Sequence, residues 1–269
     1  MTVFDESERL IWAGRGDAYA ASFAKLCAYP VEHLLDAAGV GDGTRVLDVG
    51  TGTGTVAAAA LARGARVTAV DPEPSMLALA ARTAPQAELR TALLPELPFE
   101  SGEFDAVVAN FVLNHVGRPR AALEELRRVV RAGGRVAVTI WAKPPAPGQA
   151  LLGRAIAAGG AVRPPHLPGG LEPDEDFPRD EQGLGALLAT GGLGDAACET
   201  LSWDHRASPE EWWSAPAGGV ASSGQLVRAQ TPQVRAAIKR SFDRFSVEFA
   251  DPDGMLRLPH AALLAHGRR

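Results

Sequence analysis

The sequence predicts an α/β protein built on an open, largely parallel sheet with helices on both faces. Two short apolar runs, "RVLDVG" (45–50) and "ARVTAVD" (65–71), end in glycine and aspartate and read as strands buried on both sides. A strand–helix rhythm continues from residue 45 to about 142. The first strand enters its helix through a glycine run, "DVGTGTG". In such sheets the crossovers are right-handed, and ligands bind beyond the carboxyl ends of the strands, near the point where strand order reverses.

Each element has its own signal. Residues from about 6 to 39 carry apolar positions at three- and four-residue steps, broken at Pro30, and read as helices. After the strand at 45–50 come a helix at 54–63, a strand at 65–71 and a helix at 74–83 with Pro74 in its first turn. "AELRTA" is the third strand and "FDAVVAN" (104–110) the fourth. "RPRAALEELRRVVRAG" (118–133) reads as a helix with glycine past its end, and 134–142 as the fifth strand. Beyond Trp141 the rhythm stops. Residues 143–180 are rich in proline and glycine and read as loop and cap around one helix, 148–158. A helix at 181–190, a strand near 196–206, a helical insert and a last strand from about 255 to 267 complete the chain. The expectation is a single domain over 1–269. Its core is about 35–145, 181–206 and 255–267, with N-terminal helices over 1–35 and lid segments at 143–180 and 208–250.

Bulk properties exclude several classes. The net charge of −5 argues against a nucleic-acid partner. Two cysteines, Cys27 and Cys198, lie far apart and in no metal-like spacing, so no metal site is expected. No run of about 18 apolar residues is present to span a membrane, and "MTVFDESERL" lacks an apolar leader segment. The expectation is a cytoplasmic protein, monomer or homodimer.

The glycine turn narrows the ligand. Gly50, Gly52 and Gly54 are spaced GxGxG, whereas a dinucleotide fingerprint is GxGxxG and a Walker A loop needs a lysine that is missing here. Asp48 precedes the turn, where a carboxylate opposes phosphate and suits an ammonium group. Asp71 ends the next strand, where a carboxylate accepts ribose hydroxyl protons. A ribose-bearing, phosphate-free ligand with a cationic amino-acid end fits, and S-adenosylmethionine is such a ligand.

"VLDVGTGTG", "VTAVDPEPSML", "LPFESGEFDAVVANFVLNHVGRP" and "LRRVVRAGGRVAVTIW" occur in the order seen in class I S-adenosylmethionine-dependent methyltransferases. The sequence most resembles the small-molecule methyltransferases of the ubiquinone/menaquinone-biosynthesis type, over roughly residues 35–145. The resemblance implies a Rossmann-like, doubly wound, seven-stranded sheet with its last strand antiparallel, plus helical lid insertions. It places Asp48, Gly50, Thr51, Gly52 and Gly54 around the methionine part of the cofactor and Asp71 at the ribose. Pro72, Met76, Leu93 and Leu94 line the adenine, and Asn110, which ends strand four, with Phe111 and His115 just after it, also contacts the cofactor. Tyr19 reaches the cofactor carboxylate. Many relatives carry an aspartate where this chain has Leu93, which leaves adenine to apolar contacts and main chain.

"NFVL" after strand four lacks the Asn/Asp-Pro-Pro-aromatic motif of nucleic-acid adenine methylases, paired glutamates and an aspartate cluster. What is left is metal-free methylation of a small molecule at oxygen or carbon, with an aromatic or polyketide-like acceptor in view. Only a weakly acidic acceptor, such as a phenol or enol carbon, also needs a base, and His115 is the first candidate. Asn114, His166, Trp212 and Trp213 are candidate acceptor contacts. Adjoining helical positions face about 100° apart, so only one of the two tryptophans needs to line the acceptor pocket. His166 and His205 are read as exposed loop histidines. The rival readings are an enzyme that uses the bound sulfonium as an electrostatic scaffold for cyclisation or rearrangement, and a non-enzymatic cofactor-binding module.

Overall fold

The computed structural model describes residues 2–165, 167 and 169–269. The N-terminal region forms α1 (Val3–Trp12), α2 (Gly16–Ala20), α3 (Phe23–Cys27) and α4 (Val31–Ala37), with Pro30 between the last two. Then come β1 (Arg45–Val49), α5 (Thr55–Ala62), β2 (Arg66–Val70), α6 (Pro74–Thr83), β3 (Glu88–Arg90) and β4 (Phe104–Asn110). A 3-10 turn (Leu113–His115) leads into α7 (Pro119–Val129) and β5 (Val130–Trp141). The remainder is α8 (Pro147–Ala158), α9 (Glu181–Thr190), β6 (Gly194–Ala207), α10 (Pro209–Ala217), α11 (Ala221–Arg228), α12 (Pro232–Ser246) and β7 (Leu256–Arg268).

Among the described residues the strands form one seven-stranded sheet in the order β3-β2-β1-β4-β5-β7-β6. Neighbours from β3 to β5 are parallel, and β7 runs antiparallel to both β5 and β6. The chain grows outward from β1 to β3 and then returns to β4 on β1's other side. The crevice of such a reversal therefore opens above β1 and β4.

Strand periodicity divides the core. Val46, Val67, Ala106, Val108 and Ala137 face Leu34, Leu35, Val56 and Ala60 of α4 and α5. Leu47, Val49, Val107, Val136 and Val138 face Leu123 and Leu126 of α7 and Leu184 and Leu188 of α9. A third apolar cluster joins Leu151 and Ile156 of α8, Trp212 of α10, Ile238 and Phe242 of α12 and Leu256 and Leu258 of β7 to Leu26 of α3. The N-terminal helices and the later helices thus close over the same edge of the sheet.

Two expectations are corrected. The helix read over 118–133 ends at Val129, because Val130 is buried, extended and paired with Phe104 of β4. Gly133 then serves a bend within β5, with a left-handed φ of 73° and its N–H donated to the Arg269 carbonyl at 2.7 Å. His205 is not an exposed loop residue. It lies on β6, buried against the rings of Trp212 and Tyr29.

Candidate active site

The turn after β1 has Gly50, Gly52 and Gly54 at φ 67°, 54° and 85°, the left-handed region that glycine enters without steric cost. Packing separates their roles. A Cβ on Gly50 would stand 2.5 Å from Val112 Cγ2, and one on Gly54 would stand 2.9 Å from the Ala80 Cα of α6. A Cβ on Gly52 would meet only Tyr19 Cε1, at 3.9 Å, across open space. Gly54 is thus required by helix packing and lies outside the cavity wall, while Gly50 and Gly52 line a cavity of about 410 Å³. That volume is in the usual range for a small-molecule site.

Asp71 stands at the wall of this cavity just past β2. Its Oδ2 accepts the Gly52 N–H and its Oδ1 the Glu73 N–H, both at 2.9 Å. Burial raises its pKa, and these two N–H groups oppose the rise. Asp48 does not line the cavity. Strand alternation puts it on Val46's face, toward α5, where its Oδ2 accepts the Thr51 hydroxyl at 2.7 Å. Burial pushes its pKa up to about 7, and its Oδ1 is buried with no hydrogen-bond partner among the described residues. Thr51 also donates its N–H to the Val70 carbonyl, so Asp48 and Thr51 brace the turn from behind.

The roof comes from the N-terminus. Asp5 Oδ1 accepts the Gly117 N–H at 2.6 Å, fixing α1 to the loop after β4. One turn on, Glu8 Oε2 lies 2.8 Å from His115 Nδ1 and accepts the Trp12 indole N–H at 3.2 Å. The Trp12 ring meets His115 and Tyr19 edge-on, at 5.2 and 5.6 Å. Tyr19 pairs with Cys27, and burial holds both groups high, the thiol at about 11. Glu73 caps α6 through the Ser75 N–H and also accepts the Gly14 N–H, tying this roof to the β2 side of the cavity.

Of the residues singled out from sequence, Tyr19, Gly50, Gly52, Asp71, Pro72, Met76, Leu93, Leu94, Asn110, Phe111, His115 and Trp212 line the one cavity. Asn110 is already engaged: its Nδ2 donates to the Cys27 carbonyl and its Oδ1 accepts the Thr139 hydroxyl. It locks α3 to the sheet. Phe111 follows at φ 59°, an unusual conformation for a bulky residue, and stacks on Trp141 at 4.0 Å. Trp213 points away and packs on Phe242 of α12, and Asn114 is half-buried outside the cavity wall. His166 lies outside the described residues.

Sequence reasoning missed Asp5, Glu8, Trp12, Trp141, Gln149 and His260, all on the cavity wall. Helical spacing was the available signal for the first three, since positions 5, 8 and 12 share one face. Four carboxylates, Asp5, Glu8, Asp71 and Glu73, line the cavity against one guanidinium, Arg9. This set of acceptors suits a cationic, ribose-bearing ligand and opposes a polyphosphate.

Residues 47–138 match the family model described as a methyltransferase domain. An uncharacterized protein of Mycobacterium tuberculosis is 37% identical over 139 residues, half of each chain. A demethylmenaquinone methyltransferase of Beutenbergia cavernae is 37% identical over 120 residues, 44% of this chain and 50% of the relative. The match spans about half the length of these curated relatives. Among solved structures, the YcgJ protein of Bacillus subtilis superposes with a TM-score of 0.56 at 18% identity, covering 90% of this chain and 98% of its own. The [4+2]-cyclase SpnF superposes at 0.53 with 21% identity, covering 92% and 82%. These two share the fold.

Proposed function

This chain carries a class I S-adenosylmethionine-dependent methyltransferase domain over residues 47–138, and on that premise we propose that it methylates a small metabolite at oxygen or carbon. The observation that carries the reading is the acid-lined cavity over the glycine turn, with Asp71 at its wall. Asp71 keeps lone pairs for ribose hydroxyls beside the two N–H groups it already accepts. In this reading Gly50 and Gly52 let the backbone approach the aminoacyl end closely, and Tyr19 and Arg9, on the cavity wall, meet its carboxylate. Pro72, Met76, Leu93 and Leu94 make the apolar bed for adenine.

When bound, S-adenosylmethionine supplies a methyl group already activated by the positive sulfur. The chain's own work is then to orient the acceptor, exclude water and remove a proton where the acceptor is weakly acidic. His115 and Glu8 are built for the last task. A carboxylate only accepts, so the hydrogen of a neutral His115 ring lies on Nδ1, toward Glu8. The Nε2 lone pair is left free to take a hydroxyl proton, and Glu8 stabilises the imidazolium that forms.

Calorimetry tests the cofactor half of the proposal: S-adenosylmethionine and its demethylated product bind in the micromolar range and NADH does not. Isotope-labelled methyl transferred into a metabolite extract tests the reaction. Cofactor binding without label in any product favours the scaffold reading, whose fold precedent is the cyclase.

A further inference from the structure

The cavity changes character along the sheet. Its wall near β1, β2 and α1 is charged, as described. On the side formed by β5, β7, α8 and α10 it is lined by Trp141, Gln149, Leu152, Gly153, Trp212 and His260, with no carboxylate, lysine or arginine among them. β7 is three strands from β1 in the sheet order, which sets the two regions roughly 14 Å apart at the usual strand spacing. A run of rings follows this second region. Phe111 stacks on Trp141 at 4.0 Å, Trp141 meets His260 at 6.0 Å, His260 meets Trp212 edge-on at 5.4 Å, and Trp212 meets Phe23 at 5.2 Å.

Three polar groups interrupt this apolar wall. His260 is 2% exposed, and its Nδ1 is 2.8 Å from the Leu258 carbonyl. A carbonyl only accepts, so the ring hydrogen is on Nδ1 and Nε2 is a bare acceptor in the neutral ring. Burial, together with neighbouring His205, pushes the pKa down to about 4 despite the Leu258 bond and nearby Asp204. Gln149 Oε1 and Trp212 Nε1 are buried at the same wall and have no hydrogen-bond partner among the described residues. Buried polar atoms without partners cost free energy, and a ligand that satisfies them recovers it.

We infer that this region is the acceptor subsite, and that it takes an uncharged, planar aromatic ring bearing hydroxyl groups and a carbonyl. His260 Nε2 and Gln149 Oε1 accept from hydroxyls, the Trp212 indole N–H donates to the carbonyl, and the rings of Trp141, His260 and Trp212 hold the ring plane. The assignment of this ligand as the methyl acceptor rests on the methyltransferase reading above. The subsite itself does not.

The test is a tryptophan-fluorescence titration of the full chain with resacetophenone, a dihydroxyphenyl ketone, and with acetophenone, which lacks the hydroxyls. Both are run with saturating S-adenosylhomocysteine and again without it. Resacetophenone, whose ortho hydroxyl is closed on its own ketone, is expected to bind saturably and about tenfold tighter than acetophenone, as for one hydrogen bond from its free para hydroxyl to the buried His260 Nε2. His260→Phe removes the Nε2 acceptor and brings the two probes to equal affinity, while S-adenosylhomocysteine binding stays within about twofold by calorimetry. Equal binding of the two probes to the unaltered protein, no saturable binding, or full affinity in His260→Phe would overturn the inference. Gly153→Leu guards against a misfolded His260 variant. A Cβ there meets no atom within 4 Å, so the added side chain starts in open space at the cavity wall. It should weaken resacetophenone without lowering the melting temperature, and undiminished affinity would count against the subsite. If S-adenosylhomocysteine fails to bind while the probes behave as expected, the methyltransferase reading falls and the subsite stands.

Discussion

Glu8 and His115 stand 107 positions apart in the chain and meet at 2.8 Å, carboxylate Oε2 to imidazole Nδ1, with the Trp12 indole N–H on the same oxygen. Helix α1 therefore does two things at once: it roofs the cavity and orients His115, which borders its charged region.

If that pair prepares a base, Glu8→Gln lowers kcat for a hydroxyl acceptor by about 10²-fold, within the range of general-base effects, and leaves the KM for S-adenosylmethionine unchanged. His115→Ala falls at least as far. A carbon acceptor that needs no base would show neither loss. Steady-state rates with labelled cofactor over a pH series separate the cases, because Glu8→Gln also displaces the rate–pH profile whereas a purely structural defect scales it uniformly.

Asp71 links the end of β2 to the glycine turn and still faces the cavity. Asp71→Ala is expected to weaken S-adenosylhomocysteine by roughly 1–3 kcal/mol, the cost of a lost charge-assisted hydrogen bond. Calorimetry measures it directly. An unaltered affinity would remove Asp71 from the ribose site.

The glycines give a paired prediction. Gly54→Ala forces a Cβ to 2.9 Å from the Ala80 Cα at a φ of 85°, and should cost about 2 kcal/mol or more of stability. Gly52→Ala meets nothing closer than 3.9 Å, so its cost is mainly the left-handed backbone, about 1 kcal/mol, while cofactor affinity falls much further. Thermal melting set beside calorimetry should show the two variants trading places.

Two buried groups push acid stability in opposite directions. Asp48 is raised from 3.8 to about 7, so the folded state holds a proton that the unfolded chain releases. Its contribution is complete below about pH 4 and is lost as pH rises through 7. His260 is lowered from 6.5 to about 4, so its contribution is complete above 6.5 and is lost as pH falls through 4. Each amounts to a few kcal/mol, because every tenfold change in proton affinity is worth about 1.4 kcal/mol, and over pH 4–6.5 the two largely offset each other. Single variants unmask them. Relative to the unaltered chain, Asp48→Asn should gain stability as pH rises from 4 to 7. His260→Phe should gain as pH falls from 6.5 to 4. Denaturant midpoints at four pH values decide, and parallel pH curves for variant and parent would refute the assignment.

How much of this is written in the chain can be told residue by residue. The strands at 45–50, 65–71 and 104–110 were legible because burial on both faces demands unbroken apolar runs. The helix at 181–190 was legible too, and Asp180 caps it by accepting the Gly183 N–H. The turn's glycines could be read as a ligand turn, but not that Gly54 serves Ala80 and only Gly50 and Gly52 face the cavity. That division depends on where α6 packs. The same limit explains Val130, whose pairing with Phe104 ends α7 early against a helical local pattern.

The sequence by itself determined the alternation of strands and helices, the glycine turn after β1 and the acid just past β2, because these are local patterns of period and spacing. Only the tertiary structure decided what stands opposite the turn. Glu8 reaches His115 because Asp5 pins α1 to Gly117, and His260 joins Trp141, Trp212 and Gln149 because β7 is threaded between β5 and β6. Those meetings join residues scattered from α1 to β7. No local propensity encodes them, and they exist only once burying the apolar faces of the lid has brought the segments together.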